Sequence, residues 1–223
     1  KEGFGPWEPE LKDNKLYGRG GADDGYALFT SLLAIKILRE QNIPHARCVV
    51  IIEACEESGS YDLPFYIEHL NGRLGKPELV ICLDSGCGNY EQLWSTTSLR
   101  GLVGGELKVE VLNEGIHSGD ISGIIPSSFR ILRQLLDRIE DPISGKILEE
   151  DFYVDIPNKR IQQAEHAANV LDKNVYERFP MKENTKPVTN NLVELILNRS
   201  WRPALSYLGA GGLPEINDAG NVL

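Results

Sequence analysis

Two short, uninterrupted apolar runs, at residues 48–52 and 79–83, constrain the fold more than any other feature of this sequence. Both runs lack a polar face, which is the pattern of a parallel strand covered on both sides. Apolar residues at helical spacing over residues 25–41 precede the first run, and a second predicted helix over residues 62–74 separates the two. Helix, strand, helix, strand in this order predicts an α/β fold with a parallel sheet.

The pattern changes near residue 100. At residues 107–111 apolar and charged side chains alternate, which predicts a half-exposed strand. Helical spacing then predicts a helix from Pro126 to about residue 139, and the remaining predicted elements are helices over residues 160–173 and 190–198 and a strand over residues 204–208. We therefore expect two domains, residues 1–99 and residues 100–223, of which the second is a small α+β domain.

The charge balance excludes some classes of partner. The 223 residues include 33 acidic and 23 basic side chains, a formal net charge of −10. Nucleic acids and anionic membranes attract basic surfaces, so we expect neither as a partner. The four cysteines show neither C-x-x-C spacing nor the density of a disulfide scaffold. We expect reduced, buried thiols in a cytoplasmic protein.

Acidic side chains gather at one edge of the predicted sheet. Ligands of open α/β sheets bind outside the carboxyl ends of the strands. Two like charges 4 Å apart repel by roughly 4 kcal/mol at an effective dielectric of about 20, so a crevice of carboxylates must hold protons or cations. Divalent metals suit such oxygen-rich clusters, in which one carboxylate of a Glu-Glu pair can ligate the metal while the other activates water. The six acids are Asp23, Asp24, Glu53, Glu56, Glu57 and Asp84.

Four segments, in order, resemble the motifs of the dinuclear-zinc metallopeptidases, a family that includes carnosine dipeptidases, carboxypeptidase G and succinyl-diaminopimelate desuccinylase. Residues 16–25, LYGRGGADDG, resemble its Y-G-R-G-x-x-D-D-K-G motif, and residues 53–60, EACEESGS, resemble E-x-x-E-E-S-G-S. Residues 83–85 resemble the end of its third ligand-bearing strand, and residues 115–119, GIHSG, resemble the H-S-G of its lid domain. The E-E-S-G-S form and residues 201–203, WRP, favour the dipeptidase branch.

The resemblance implies a dinuclear centre that activates water. Asp23 would bridge two Zn ions per complete subunit, with Mn or Co as alternatives, and its bond to Asp24 would be a cis peptide. Glu57 and Asp84 would each ligate one metal. Glu56 would be the general base that takes a proton from the attacking water and returns it to the leaving amine.

The resemblance also implies an architecture and a partner. A partial parallel-sheet catalytic domain would be followed by an α+β, ferredoxin-like lid and dimerisation domain, and the lid would join two subunits as a homodimer. His117 would reach from the lid into the other subunit's active site and stabilise the tetrahedral oxyanion. Asn221, like His117, would contact the substrate, a small peptide or an acyl-amino acid.

Two departures qualify this expectation. The family's first metal ligand is a His in an H-x-D motif before Y-G-R-G, its last is a His late in the catalytic domain, and neither has a counterpart here. Gly25 and Tyr26 stand where the family usually has Lys and Gly. We therefore expect an internal fragment that is inactive or nearly so, because half of a tetrahedral ligand set is missing.

Three alternatives stay open from sequence. A deacylase of N-acyl amino acids would use the same scaffold. A non-catalytic dimerising or binding module would keep the acids without using them. A Mg-dependent phosphoryl-transfer protein is disfavoured because the sequence has no G-x-x-x-x-G-K-S loop.

Overall fold

The structure, a computed structural model, describes residues 5–222. The chain divides into two units, one ending at Leu93 and the other beginning at Trp94. The sequence predicts a boundary slightly later, between residues 99 and 100. That the first part is a catalytic domain and the second a lid stays a prediction.

The first unit opens with a β-hairpin that the sequence analysis did not predict. Strands β1 (Glu10–Lys12) and β2 (Lys15–Tyr17) pair antiparallel, with Leu11 opposite Leu16. The two-residue turn has positive φ at Asp13 (50°) and Asn14 (60°). Asp and Asn tolerate this left-handed conformation, and two positive φ values match the twist that a tight hairpin needs.

Helices of the first unit follow the predicted apolar spacing. Helix α1 (Tyr26–Glu40) confirms the helix predicted over residues 25–41. The helix predicted over residues 62–74 is present as two, α2 (Leu63–His69) and α3 (Asn71–Leu74), which meet at Leu70. Asp62 and Pro64 fit the start of α2, since Pro lacks the N–H that a first helical turn leaves unpaired anyway.

The four predicted strands are wrong as hydrogen-bonded strands. Within residues 5–222 the only strand ladder is β1–β2, so no parallel sheet joins residues 48–52 and 79–83, and residues 107–111 and 204–208 lie outside any ladder. An apolar run supplies the side chains of a buried strand but not the partner whose N–H and C=O groups complete the ladder. Without that partner the runs stay uncovered, and Ile52 and Leu79 are 66% and 75% exposed.

The expectation of buried thiols is also wrong. All four cysteines are free, as predicted, but all four are exposed. Cys48 and Cys82 lie in the two apolar runs that no neighbouring strand covers. Their exposure therefore has the same cause as the exposure of Ile52 and Leu79.

The second unit contains five α-helices within its described residues, besides short 3₁₀ turns at Glu150–Phe152 and Ile216–Asp218. Three confirm predictions from apolar spacing: α5 (Ser128–Leu136), α6 (Asn158–Leu171) and α8 (Leu192–Ser200). The other two, α4 (Ser118–Ile121) and α7 (Asn174–Glu177), are single turns. Helices α6 and α8 pack together and bury Ala164, Ala168 and Leu197. Because the two alanines are small, the α6 backbone can come close to Leu197.

No helix formed by residues 5–222 combines the length and the apolar character that a membrane crossing requires.

Candidate active site

The loop before α1 holds two predicted site residues, Asp23 and Asp24. Gly25 N donates a hydrogen bond to Gly20 O at 2.6 Å and closes the loop. The Asp23–Asp24 peptide bond is cis, as the resemblance implies. A Cβ at Gly25 would lie 2.7 Å from Gly20 O, inside any normal contact distance, so the closed loop requires glycine at this position.

Tyr26 connects this loop to the segment that carries Asp84. Its hydroxyl donates a 3.1 Å hydrogen bond to the carbonyl oxygen of Leu83, the residue directly before Asp84. Burial raises the pKa of the Tyr26 phenol, and the negative charges of Asp24, Asp84 and Cys87 raise it further. The first turn of α1 is therefore fixed beside the end of the apolar run at residues 79–83. The motif comparison noted Tyr26 only as a departure from the family pattern and gave it no role.

A tight turn presents the Glu-Glu pair. Residues Glu56–Ser58 form one turn of 3₁₀ helix, in which Gly59 N donates to Glu56 O at 2.8 Å. Gly59 has φ of 101°, a conformation that side chains rarely adopt, and a Cβ there would lie 3.1 Å from the Tyr61 ring. The positive φ and the nearby Tyr61 ring thus explain why the residue after Glu-Glu-Ser in the motif is glycine.

Carboxylates from three chain segments act electrostatically on Glu56. The pKa of Glu56 is raised, first by the charge of Asp84, then by Glu57, by burial, and by Glu53 and Asp23. A nearby like charge disfavours the ionised form of a carboxyl group, which accounts for the direction. The four acids to which the resemblance gives a role, Asp23, Glu56, Glu57 and Asp84, therefore lie close enough for three of them to affect the fourth, Glu56.

The donor chemistry of this cluster fits divalent metal ions. Glu53 Oε1 is buried without a hydrogen-bond partner, which is costly for a carboxylate oxygen unless a cation or proton compensates it. Within residues 5–222, however, no three His, Cys, Asp or Glu side chains already stand in a metal-ligating arrangement. The carboxylates have the chemistry of a metal site and are grouped, but they do not form a closed ligand shell.

The histidines of the first unit make other contacts. His45 Nδ1 lies 2.7 Å from the carbonyl oxygen of Ala46. The His69 ring stacks on Phe65 with a centroid distance of 6.1 Å and an interplanar angle of 10°. The structure thus gives neither imidazole a contact with the carboxylate cluster.

In the second unit the two predicted substrate-binding residues, His117 and Asn221, contact each other. The Asn221 side-chain amide lies 2.7 Å from His117 Nε2, and Gly119 N donates to His117 Nδ1 at 3.0 Å. The main chain supports the pair, since Ser118 N donates to Asn221 O at 2.7 Å and His117 forms an antiparallel bridge with Val222. Two residues 104 positions apart therefore form one polar group.

Comparison with known proteins gives a family match over most of the chain. The model of the family described as peptidase family M20/M25/M40 matches residues 1–200. Among curated proteins, the chain is 24% identical over 219 residues to a cysteinylglycine-S-conjugate dipeptidase of Corynebacterium striatum, covering 98% of this chain and 46% of the relative. It is 29% identical over 205 residues to the human Beta-Ala-His dipeptidase, covering 90% of this chain and 39% of that protein.

A solved structure shows the same fold. The dipeptidase Dug1p from Saccharomyces cerevisiae superposes with a TM-score of 0.57 at 19% sequence identity, over 99% of this chain and 46% of the yeast chain. The chain therefore spans less than half the length of each of these three relatives.

Proposed function

The chain belongs to peptidase family M20/M25/M40, and from that membership we propose that it serves in the metal-dependent hydrolysis of the amide bond of dipeptides. The observation that carries the proposal is that Asp84, Glu57, Glu53 and Asp23 all act on Glu56, because this groups acids from three separate segments. The dipeptidases among the relatives support a small peptide as the substrate rather than a folded protein.

The proposal assigns the metals to carboxylates of the first unit. Asp23, Glu57 and Asp84 would hold two divalent ions, Zn²⁺ by preference with Mn²⁺ or Co²⁺ as alternatives. Bound there, the ions would polarise the scissile carbonyl and favour ionisation of water. The buried, unpartnered Glu53 Oε1 supports this assignment, since a cation in the cluster would offset its desolvation.

Glu56 and His117 would carry the proton and the developing charge. Glu56 would accept a proton from the attacking water and deliver it to the leaving amine nitrogen, so that the amine departs neutral. His117 would donate a hydrogen bond to the tetrahedral oxyanion, and Asn221 would lie at the same substrate position. We include in the proposal a homodimer through the second unit, in which each subunit lends its His117 to the other.

Two further parts of the proposal concern the chain itself. We propose that the 223-residue polypeptide alone is inactive or nearly so, because neither histidine of the first unit contacts the carboxylate cluster. We also propose a reducing, cytoplasmic location, which the four free and exposed cysteines support, since exposed thiols persist where disulfides do not form.

Calorimetric titration with Zn²⁺ and with Mn²⁺ tests the metal site. We expect Asp23→Ala to weaken binding at least about tenfold, which corresponds to about 1.4 kcal/mol. Asp62→Ala is the matched control, because Asp62 is an acid of the same unit whose side chain makes no capping bond at α2. Equal affinity for the wild-type and Asp23→Ala chains would show that the acids do not form the site and would favour a non-catalytic module.

A hydrolysis assay with dipeptides and N-acyl amino acids tests the substrate class and the proposed inactivity. A turnover near the usual enzyme median of about 10 per second in the presence of Zn²⁺ or Mn²⁺ would refute the inactivity of this chain. Hydrolysis confined to N-acyl amino acids would favour the deacylase alternative over the dipeptidase.

A further inference from the structure

The His117 ring lies between two hydrogen-bonding groups of different character. On one side Gly119 N, a backbone amide that can only donate, lies 3.0 Å from Nδ1. On the other side Nδ2 of the Asn221 side-chain amide, a group that carries both a donor and an acceptor, lies 2.7 Å from Nε2. These two contacts together determine the hydrogen positions on the ring.

The backbone contact fixes the tautomer. Because Gly119 N–H points at Nδ1, that nitrogen must be the acceptor, and a neutral imidazole then carries its proton on Nε2. Nε2–H is a donor, so it requires an acceptor from Asn221. The Asn221 amide nitrogen and oxygen have nearly the same shape, and which of them faces the ring follows from the hydrogen-bond network. The network therefore requires the amide to be turned over, so that Oδ1 rather than Nδ2 faces His117 Nε2.

Other arrangements lose contacts. If the Asn221 NH₂ group faced Nε2, both ring nitrogens would have to accept at once, which a neutral imidazole cannot do. If the ring were turned over, carbon atoms would replace both nitrogens at the hydrogen-bonding positions, and both bonds would be lost. Only the Nε2–H tautomer facing the Asn221 oxygen satisfies both neighbours.

The place of Asn221 is itself fixed by the main chain. Its carbonyl oxygen accepts a hydrogen bond from Ser118 N at 2.7 Å, and the next residue, Val222, forms the bridge to His117. Residue 119 must also be glycine, since a Cβ there would lie 3.0 Å from both Cε1 and Nδ1 of the His117 ring. A side chain at residue 119 would push the ring away from its donor.

We propose that Asn221 is a positioning residue, whose amide oxygen accepts Nε2–H of His117 and, with Gly119 N–H, holds the neutral ring as the Nε2–H tautomer. This inference deepens the proposed function and rests on it for one step, the use of Nε2–H. A tetrahedral oxyanion needs a donor at Nε2, and Asn221 keeps that nitrogen protonated and aimed until the oxyanion of a substrate replaces the amide oxygen as its acceptor.

Long-range ¹H–¹⁵N correlation spectra of the ¹⁵N-labelled chain test the proposal without metal or substrate. At about pH 9 an imidazole with the ordinary pKa of about 6.5 is neutral, and the nitrogen without hydrogen resonates far downfield of the protonated one. Two other histidines provide internal standards. His45 Nδ1 faces the Ala46 carbonyl, an acceptor, so we expect the opposite, Nδ1–H tautomer there. His166 has no ring hydrogen bond among residues 5–222 and gives the unconstrained mixture.

We expect the Nε2–H fraction of His117 to exceed that of His166 and to be close to complete. Asn221→Leu, which keeps the size but removes the acceptor, should lower it toward the His166 value, whereas Asn221→Asp, which keeps an acceptor, should preserve it. A His117 fraction no higher than that of His166, or no change in Asn221→Leu, would overturn the proposal. Because neither metal nor hydrolysis enters the measurement, its outcome is separate from failure of the proposed function.

Discussion

At the scale of single residues, two glycines determine where the polar side chains of the candidate site can stand. Gly25 allows the loop that carries Asp23 and Asp24 to close on Gly20, and Gly119 allows a backbone N–H to approach the His117 ring. Both positions require glycine because a Cβ would collide with a neighbouring atom, not because the backbone is left-handed. Substitution at either position therefore acts through displacement of a neighbour.

The Gly25 contact gives a matched pair of variants. In Gly25→Ala the methyl group would meet Gly20 O, a backbone atom that cannot rotate away, so the 2.6 Å hydrogen bond between the two residues must break. We expect a loss of about 1–3 kcal/mol in the free energy of unfolding, the usual cost of overpacking, together with weaker Zn²⁺ binding. Urea denaturation and calorimetry measure the two effects.

Gly21→Ala is the control for that pair, because a Cβ at Gly21 meets nothing within 4 Å. Both substitutions reduce the entropy of the unfolded chain alike, so the difference between them reports the contact alone. Equal stability and equal metal affinity of the two variants would show that the closed loop does not support the site.

Sequence reasoning predicted the site residues unevenly at this scale. Asp23, Glu57 and Asp84 could be named because each lies in a short motif whose letters are informative by themselves. Tyr26 could not, because its hydrogen bond to Leu83 joins positions 57 apart and no local pattern records such a contact. The pairing of His117 with Asn221 was missed for the same reason, although both residues were named.

At the scale of elements, α8 shows how a helix of nine residues is stabilised at its ends. Isolated helices shorter than about 12–15 residues are marginal in water, so α8 depends on its caps and on packing against α6. Asn191 Oδ1 accepts hydrogen bonds from Val193 N and Glu194 N at the start. Near the end, Arg100 donates to the carbonyl oxygens of Asn198 and Arg202.

The ion pair of α8 predicts a pH dependence. Arg202 Nη1 and Nη2 donate to the two oxygens of Glu194 at 2.6 and 3.2 Å, and these hydrogen bonds lower the pKa of Glu194 from its ordinary value of 4.5, although partial burial opposes them. A lowered folded-state pKa contributes stability that is present above the unfolded value and is lost as the pH falls through the folded value. This contribution is therefore fully present above about pH 4.5 and is lost as the pH falls below that value through the lowered pKa of Glu194.

Arg202→Lys tests that contribution, since lysine keeps the charge but not the two-pronged geometry. The pair is partly solvent-exposed, so we expect a loss of only about 0.5–1 kcal/mol at pH 7 and a smaller difference from the wild-type chain at pH 3. Arg138→Lys, at an arginine without an ion pair among the described residues, is the control. A difference that does not shrink in acid would contradict the assignment to Glu194. Urea denaturation at both pH values provides the measurement.

Helices were predictable from sequence and strands were not, because the two depend on different information. The apolar stripe of α1 or α5 and the hydrogen bonds of that helix lie in the same stretch of chain. The runs at residues 48–52 and 79–83 specify apolar side chains only, and their ladder depends on a second segment elsewhere. The hairpin β1–β2 was not predicted, although its Asp13-Asn14 turn indicates one, because both residue types tolerate positive φ.

At the scale of the whole molecule, the amount of exposed surface is the dominant property. The solvent-accessible area is 19729 Å², about twice the roughly 10,000 Å² expected for a folded monomer of 24.8 kDa. The apolar run at residues 79–83 contributes to this excess, with Leu79, Val80 and Ile81 at least 70% exposed. Contiguous apolar surface of this kind drives association.

We expect the purified chain to associate with rising concentration, as measured by sedimentation velocity. Ile81→Lys interrupts the apolar run with a charge and should shift the chain toward monomer. Ile143→Lys is the control, because Ile143 is 95% exposed but is flanked by Pro142 and Ser144 rather than by an apolar run. A monodisperse monomer at all concentrations, or equal effects of the two substitutions, would contradict the role of the run.

The hydrogen bond from Tyr26 to Leu83 has a thermodynamic consequence for ion uptake. This bond joins positions 57 apart in the sequence. Asp23 and Asp24, before Tyr26, therefore come close to Asp84, after Leu83, only once the intervening chain has folded. An ion that prefers the gathered acids over the dispersed ones must then favour folding by the same free energy, about 2.7 kcal/mol at a hundred times its dissociation constant. Cation concentration and conformational stability of this unit are thus linked variables, and a melting curve can serve as a binding isotherm.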